Sequence, residues 1–300
     1  MDMTQNKCCR HGASLRRRRR RRRKILCFII FSCSIIAVAV FVAVGSSMIR
    51  SGDGRTNKYD VEAGNNTYDN AVIENSKISE KNKIQNNQSM LDDIMNSTQY
   101  PKQLKDLALK NEEALEFVYD YPAEHVKEHT IDLTEEASMD SVPLFVQWDK
   151  RWGYEKYSGN FFAASGCGPT TLSMVVVYLT HNREASPIAV AKYSKEAGYS
   201  VDGSGSSWTL ISEGCMHYGV KAKAVALDES RMKAELDAGH PIVVNVGPGD
   251  FTDTGHFMVI TGYDDEGFSI NDPNSIEKSG KRWLFKNISS QIRAVWSMYV

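Results

Sequence analysis

Cys167 is the residue of this chain best placed to act as a nucleophile. It stands between two glycines in Ser165-Gly166-Cys167-Gly168-Pro169-Thr170-Thr171, and the mostly apolar run Leu172 to Leu179 follows directly. Glycine permits close backbone approach and positive φ. Proline fits a first helical turn, where its missing N–H costs nothing. The pattern predicts a helix that begins at the cysteine. A helix N-terminus carries partial positive charge, which favours thiolate over thiol. A buried cysteine at a tight turn is the plain alternative, and the two readings part on whether the chain supplies partners.

A thiol nucleophile needs a base, and the base needs an orienting group. His256 follows Gly255 at the start of the apolar segment Phe257 to Tyr263, and Asp272 follows the alternating segment Phe268-Ser269-Ile270-Asn271. If these segments pair as strands across the turn Asp264–Gly267, the start of one lies beside the end of the other. The register permits His256 and Asp272 to be neighbours without requiring it. Asp272 would then hold the imidazole and stabilise its charged form. Asn271 competes for that role; alternation puts Asp272 on the face of Phe268 and Ile270 and Asn271 on the other. A tetrahedral oxyanion needs donors: the Cys167 N–H by position, and Gln147 as the best side-chain candidate. Each residue also has an ordinary reading, a half-exposed strand histidine, an Asp-Pro turn, a surface glutamine. Cys215 lacks the glycine–proline context and reads as core, with a silencing Cys167–Cys215 disulfide as its rival. Trp148, Trp152 and Trp208 are candidates for either cleft or core.

These groups need a domain to position them. The 300 residues suffice for one sizeable domain and extras. The net charge of −1 hides an asymmetry: residues 1–44 hold eleven of the 36 Lys and Arg and one of the 37 Asp and Glu. The remainder, with 25 basic and 36 acidic residues, is mildly acidic, so nucleic-acid binding by the main domain is not expected. Six cysteines without a CxxC pair or zinc spacing give no disulfide framework and no metal centre, and no cofactor is expected.

In chain order, residues 1–24 form a basic tail ending in nine consecutive basic residues, and residues 25–44 are twenty without a charge. Twenty such residues span a bilayer core of about 30 Å. The basic flank predicts a cytoplasmic N-terminus, so the single transmembrane helix would anchor the chain in the lipid bilayer with the rest extracellular. Residues 45–138 read as a polar stalk, too poor in apolar side chains to build a core over 45–100. Within it, Leu104, Leu107, Ala108, Leu115 and Val118 predict one amphipathic helix near 102–119, ended by Pro122 and packed on the domain or acting as a strap. Residues 139–300 carry the composition of a compact domain. Helices are predicted over 168–180, 187–196, 208–218 and 231–238, and strands over 241–246, 256–263, 268–271, 283–285 and 294–299. Helices first and an antiparallel sheet after them is an α+β order.

Taken together, Val142-Pro143…Gln147-Trp148-Asp149…Trp152, the cysteine motif, Gly255-His256-Phe257-Met258-Val259…Gly262-Tyr263 and Asn271-Asp272-Pro273 resemble the peptidase C39-like group of papain-fold cysteine peptidases. That group is related to the leader-processing peptidases of bacteriocin exporters. The resemblance covers about residues 140–300. It implies a papain-like fold with Cys167 as nucleophile, His256 as general base and acid, Asp272 as its orienting group and Gln147 in the oxyanion hole. In exporter-linked enzymes the glutamine lies a few residues before the cysteine; here twenty positions separate them, as in the stand-alone branch. No ATP-binding cassette accompanies the domain, so leader removal during export is not implied. The expected function is a membrane-anchored, outward-facing cysteine peptidase acting on a peptide or protein substrate. The rivals are an inactive surface binding module of the same fold and a cell-wall amidase or endopeptidase.

Overall fold

The computed structural model describes residues 66–300. The basic tail, the segment 25–44 and Cys8, Cys9, Cys27 and Cys33 lie outside the described residues. Among the described residues no helix is long and apolar enough to cross a membrane.

A six-stranded antiparallel sheet organises the domain. Its strands are β1 (Lys221–Ala224), β2 (Ile242–Val246), β3 (His256–Asp264), β4 (Gly267–Asn271), β5 (Arg282–Trp283) and β6 (Ile292–Tyr299), in the spatial order β1-β6-β2-β3-β4-β5. Three of its strands, β2, β3 and β6, are rich in β-branched and aromatic residues, which suit a pleated, buried surface. Alternation divides the side chains between two cores. Val243, Phe257, Val259, Trp296 and Met298 pack on one face, with Leu172, Met174, Val175, Val176 and Val177 of the helix Cys167–Thr180. Ile242, Val244, Met258, Ile260, Ile270 and Val295 pack on the other, under Met232 and Phe251. The predicted strand over 283–285 is shorter, because Phe285 opens a helical turn, Phe285–Ile288. The helix predicted over 208–218 is two pieces, Thr209–Ser212 and the 3-10 turn Gly214–Tyr218.

The N-terminal segment forms a third core. Residues 45–100, read as stalk, include the helix α1 (Asn66–Asn96), whose final turns bury Ile94 with Met90 and Leu91 packed beside it. The helix expected near 102–119 is broken at Asn111, which is extended at φ −135°. It runs as α2 (Lys102–Lys110), a 3-10 turn Glu112–Ala114 and α3 (Leu115–Tyr119). Pro122 does not end a helix; it sits in the first turn of Tyr121–Glu124, where proline is tolerated. Leu104, Leu107, Ala108, Leu115 and Val118 are all buried, and they pack with Phe161 and Ala163, immediately before the cysteine. The domain helices follow as α4 (Cys167–Thr180), α5 (Pro187–Glu196) and α6 (Glu229–Asp237).

Candidate active site

Cys167 is the first residue of α4, behind an N-cap at Gly166. No side chain caps this helix, so its first N–H groups are left free to face the cysteine side. The flanking glycines act through space and not through positive φ. Gly166 has φ −85°. A Cβ there would meet the Phe162 ring at 2.6 Å, and one at Gly168 would meet Ser206 Oγ at 2.6 Å. The helix can therefore begin here only because both positions lack side chains.

His256 opens β3 and is buried. Its Nε2 lies 2.6 Å from Asp272 Oδ1, and Asp272 is fully buried. With Nε2 committed to the carboxylate, Nδ1 is the ring nitrogen left for the sulfur. A β-bulge decides which residue meets the ring. From the turn, Asp264 pairs with Gly267, Tyr263 with Phe268 and Gly262 with Ser269; then Thr261 is skipped and Ile260 pairs with Ile270. One step past the pair Val259–Asn271, Asp272 falls opposite Met258, on the face that His256 shares. Had Thr261 paired with Ile270 instead of being skipped, Asn271 would hold that phase, since a one-residue slip moves every side chain to the other face. Asn271 instead points away and donates from Nδ2 to the carbonyls of Val142 and Pro143 at 3.0 and 3.1 Å.

Gln147 is buried beside the same loop. Its backbone N–H donates to Pro273 O at 2.7 Å, and its Nε2 donates to Ala163 O at 2.7 Å. Its Oε1 and Asp272 Oδ2 are buried without a hydrogen-bond partner among the described residues.

Cys167 sits where two cavities meet. The first, about 700 Å³, is lined by Ser165, Ser206, Trp208, Val246 and Arg293 among others. The second, about 600 Å³, contains His256 and Gln147 together with Asp250 and Asp253. Asn160, Ala164, Thr254 and Gly255 border both. Of the three tryptophans, Trp208 lines the first cavity and is half-exposed, while Trp152 is core at 1% exposure. Trp148 turns its Nε1 to Asn274 O at 3.4 Å. The residues least expected here are Gln103, Asp106, Lys110 and Asn111, which line the second cavity from α2 and its C-terminal cap. A signal for them existed: Asn111 falls on the apolar stripe between Ala108 and Leu115, and a polar residue at a core position needs a polar partner.

The electrostatics couple the sulfur and the ring. Burial raises the proton affinity of Cys167, but contact with the His256 ring, its charge and the backbone N–H groups of Phe257 and Gly168 outweigh burial and hold the thiol below its ordinary value. Burial disfavours a charged His256, but the Asp272 carboxylate and then Cys167 outweigh it and hold the imidazole well above its ordinary value. Both shifts favour a thiolate–imidazolium pair. Cys215 sits in the core and is free, as is Cys167, and burial pushes its thiol up to about 11.

A cysteine at a helix tip beside a histidine–carboxylate pair, at one end of the strands of an antiparallel sheet, is an arrangement suited to thiol chemistry. The model of the Peptidase_C39 like family matches residues 139–300. The chain belongs to that family, and membership points to a cysteine peptidase. Among solved structures it is similar to the peptidase domain of Streptococcus ComA, a bifunctional ABC transporter involved in quorum sensing. The identity is 20%, with 45% of this chain and 90% of that one covered and a TM-score of 0.37. It is also similar to a C39-like peptidase from Bacillus anthracis, at 17% identity over 53% of this chain and 95% of that one, with a TM-score of 0.34. No curated protein matches. The family match carries the assignment.

Proposed function

We propose that this protein is a papain-like cysteine peptidase that hydrolyses amide bonds through Cys167, His256 and Asp272. The Cys167 thiolate attacks the scissile carbonyl carbon and forms a C–S bond. The resulting oxyanion is met by the Cys167 backbone N–H and the Gln147 side-chain amide. His256, charged by the proton from the thiol, gives that proton from Nδ1 to the leaving nitrogen as the C–N bond breaks. Water then attacks the acyl-enzyme, His256 takes its proton, and the thiol is released with the acid product. Asp272 holds the ring through Nε2 and stabilises its charged form.

The chemistry also gives the cleft a direction. The leaving amine must lie within reach of the imidazole, so it occupies the cavity of His256, Asp250 and Asp253. The acyl part then lies toward Trp208 and Arg293. Residues 25–44 supply the anchor in the bilayer, with residues 1–24 cytoplasmic and the peptidase domain outside, a reading that rests on their twenty uncharged residues and basic flank.

The observation that carries the reading is the coupling of sulfur, ring and carboxylate. An inert binding module has no need of a thiol held below its ordinary value. The test is cleavage of a peptide library, with thiol-directed acylating-probe labelling alongside, by the wild type and Cys167→Ala. Turnover and labelling by the wild type alone are expected; equal labelling of both proteins would remove Cys167 from the assignment.

A further inference from the structure

The loop that carries Asp272 is held from outside the family domain. Asp272, Pro273, Asn274 and Ser275 connect β4 to the short helical turn Ile276–Ser279. Part of the loop's order is internal: Asn274 N–H donates to Asp272 Oδ1 at 2.8 Å and Asp272 N–H donates to Ser279 Oγ at 2.9 Å. The rest comes from residues some 160 positions earlier in the chain. Asn111, buried at the break between α2 and the 3-10 turn, donates from Nδ2 to Asn274 O at 2.9 Å and to Asn274 Oδ1 at 3.1 Å. Its Oδ1 accepts from the Glu113 N–H at 3.0 Å, which fixes Glu113 in turn. The Glu113 carboxylate then accepts from Ser275 Oγ and from the backbone N–H groups of Ile276 and Glu277, the latter two at 2.7 and 3.1 Å. Charge-assisted bonds of this kind are the stronger sort.

The helix break thus has a purpose that its propensity does not explain. The Asn111 N–H still closes the α2 ladder on Leu107 O at 2.9 Å, but an uninterrupted helix would point Glu113 along a helix surface. Breaking at Asn111 turns both side chains onto the loop. The apolar cluster of Ile94, Leu104, Leu115 and Phe117 backs this clamp, packed against Phe161 and Ala163 of the domain. On its other side the loop meets Gln147 and Trp148, so the clamp also bears on the proposed oxyanion donor.

We infer that Asn111 and Glu113 are positioning residues for Asp272, and that the helical segment 102–124 is a working part of the catalytic unit although it lies outside residues 139–300. The inference deepens the peptidase reading and rests on it for its effect on turnover, but not for its effect on the ring. Removing Glu113 leaves Ser275 and the first turn after it without their acceptor. Asp272 Oδ1 then loses its fixed distance from His256 Nε2, and the imidazolium loses its partner. A misplacement of about 1 Å costs up to about a hundredfold in rate.

The experiment uses the full chain with Glu113→Ala, Asn111→Ala and Glu113→Gln. Three quantities are read: kcat and KM on a peptide substrate, the titration midpoint of His256 by NMR, and the thermal midpoint. In both alanine variants kcat should fall about tenfold to a hundredfold with KM within about twofold. The His256 midpoint should move down towards the ordinary imidazole value. Glu113→Gln keeps one acceptor oxygen and should recover part of both losses, and it carries the test if an alanine variant does not fold. A folded variant with an unmoved His256 midpoint overturns the inference, whatever its thermal midpoint. A wild type that shows the raised midpoint without turnover, and loses it in Glu113→Ala, upholds the positioning role while sinking the peptidase reading.

Discussion

The two described cysteines show how far placement governs one functional group. Cys215 lies in the 3-10 turn Gly214–Tyr218, fully enclosed by apolar side chains, and its thiol is pushed up to about 11. Cys167 lies at the first position of α4, half-buried, with its thiol held down by a ring and two backbone N–H groups. Both pay a burial penalty, and only one recovers it. Backbone N–H groups act on both thiols, so the difference is one imidazole, not the degree of enclosure.

Removing the imidazole should erase most of that difference. His256→Ala is expected to lower turnover by about 10²–10⁴-fold. Alkylation of Cys167 by iodoacetamide at pH 6 should fall with it, because burial is then opposed only by the Phe257 and Gly168 N–H groups, which pushes the thiol towards the behaviour of Cys215. Alkylation that stays fast at pH 6 in this variant would credit the helix terminus alone. A second effect, smaller, is expected of Asp272→Asn. The amide oxygen still accepts the ring N–H but carries no charge to stabilise the imidazolium, so turnover should drop while KM changes little.

The pH dependence sharpens the contrast without mutation. In the proposed mechanism, turnover needs the thiolate and the imidazolium together. It should rise on the acid side as Cys167 loses its proton, below the usual thiol range, and fall on the alkaline side as His256 loses its own, above the usual imidazole range. Alkylation needs only the thiolate and should stay high on the alkaline side. A common alkaline limb in both profiles would break the pair model. The smallest effect on activity is expected at the other thiol. Cys215→Ser buries a hydroxyl without a partner and should cost about 1–3 kcal/mol of stability in a denaturant titration, with kcat unchanged.

Much of this was legible in the residues, and the gaps have physical causes. The Gly-Cys-Gly-Pro context placed Cys167 at a helix start because few other sequences can begin a buried helix so close to a neighbouring ring. Two reasons were given for the glycines, close approach and positive φ; the φ of Gly166 is negative, and contact with Phe162 and Ser206 is what excludes a Cβ. The hairpin permitted the meeting of His256 and Asp272, but the contest between Asp272 and Asn271 was not decidable from alternation, since a bulge at Thr261 resets the phase midway. The stalk reading over 45–100 counted apolar residues along the chain. Met90, Leu91 and Ile94 are few, but the helix α1 gathers them at one end. The clamp from Asn111 and Glu113 is a long-range contact, and single-sequence periodicity does not report on those.

The skipped residue at Thr261 makes the hairpin sensitive to pairing phase as well as to side chains. Substitution there leaves the count of residues intact, so the acid still arrives at the imidazole. Deletion of that one residue would close the bulge and leave Ile260 opposite Ile270, whereas pairing Thr261 with Ile270 would deliver an amide to the ring and send the carboxylate toward the Val142–Pro143 carbonyls. The hairpin behaves like a vernier: its sequence can drift, but the skip that brings imidazole and carboxylate into one phase is fixed.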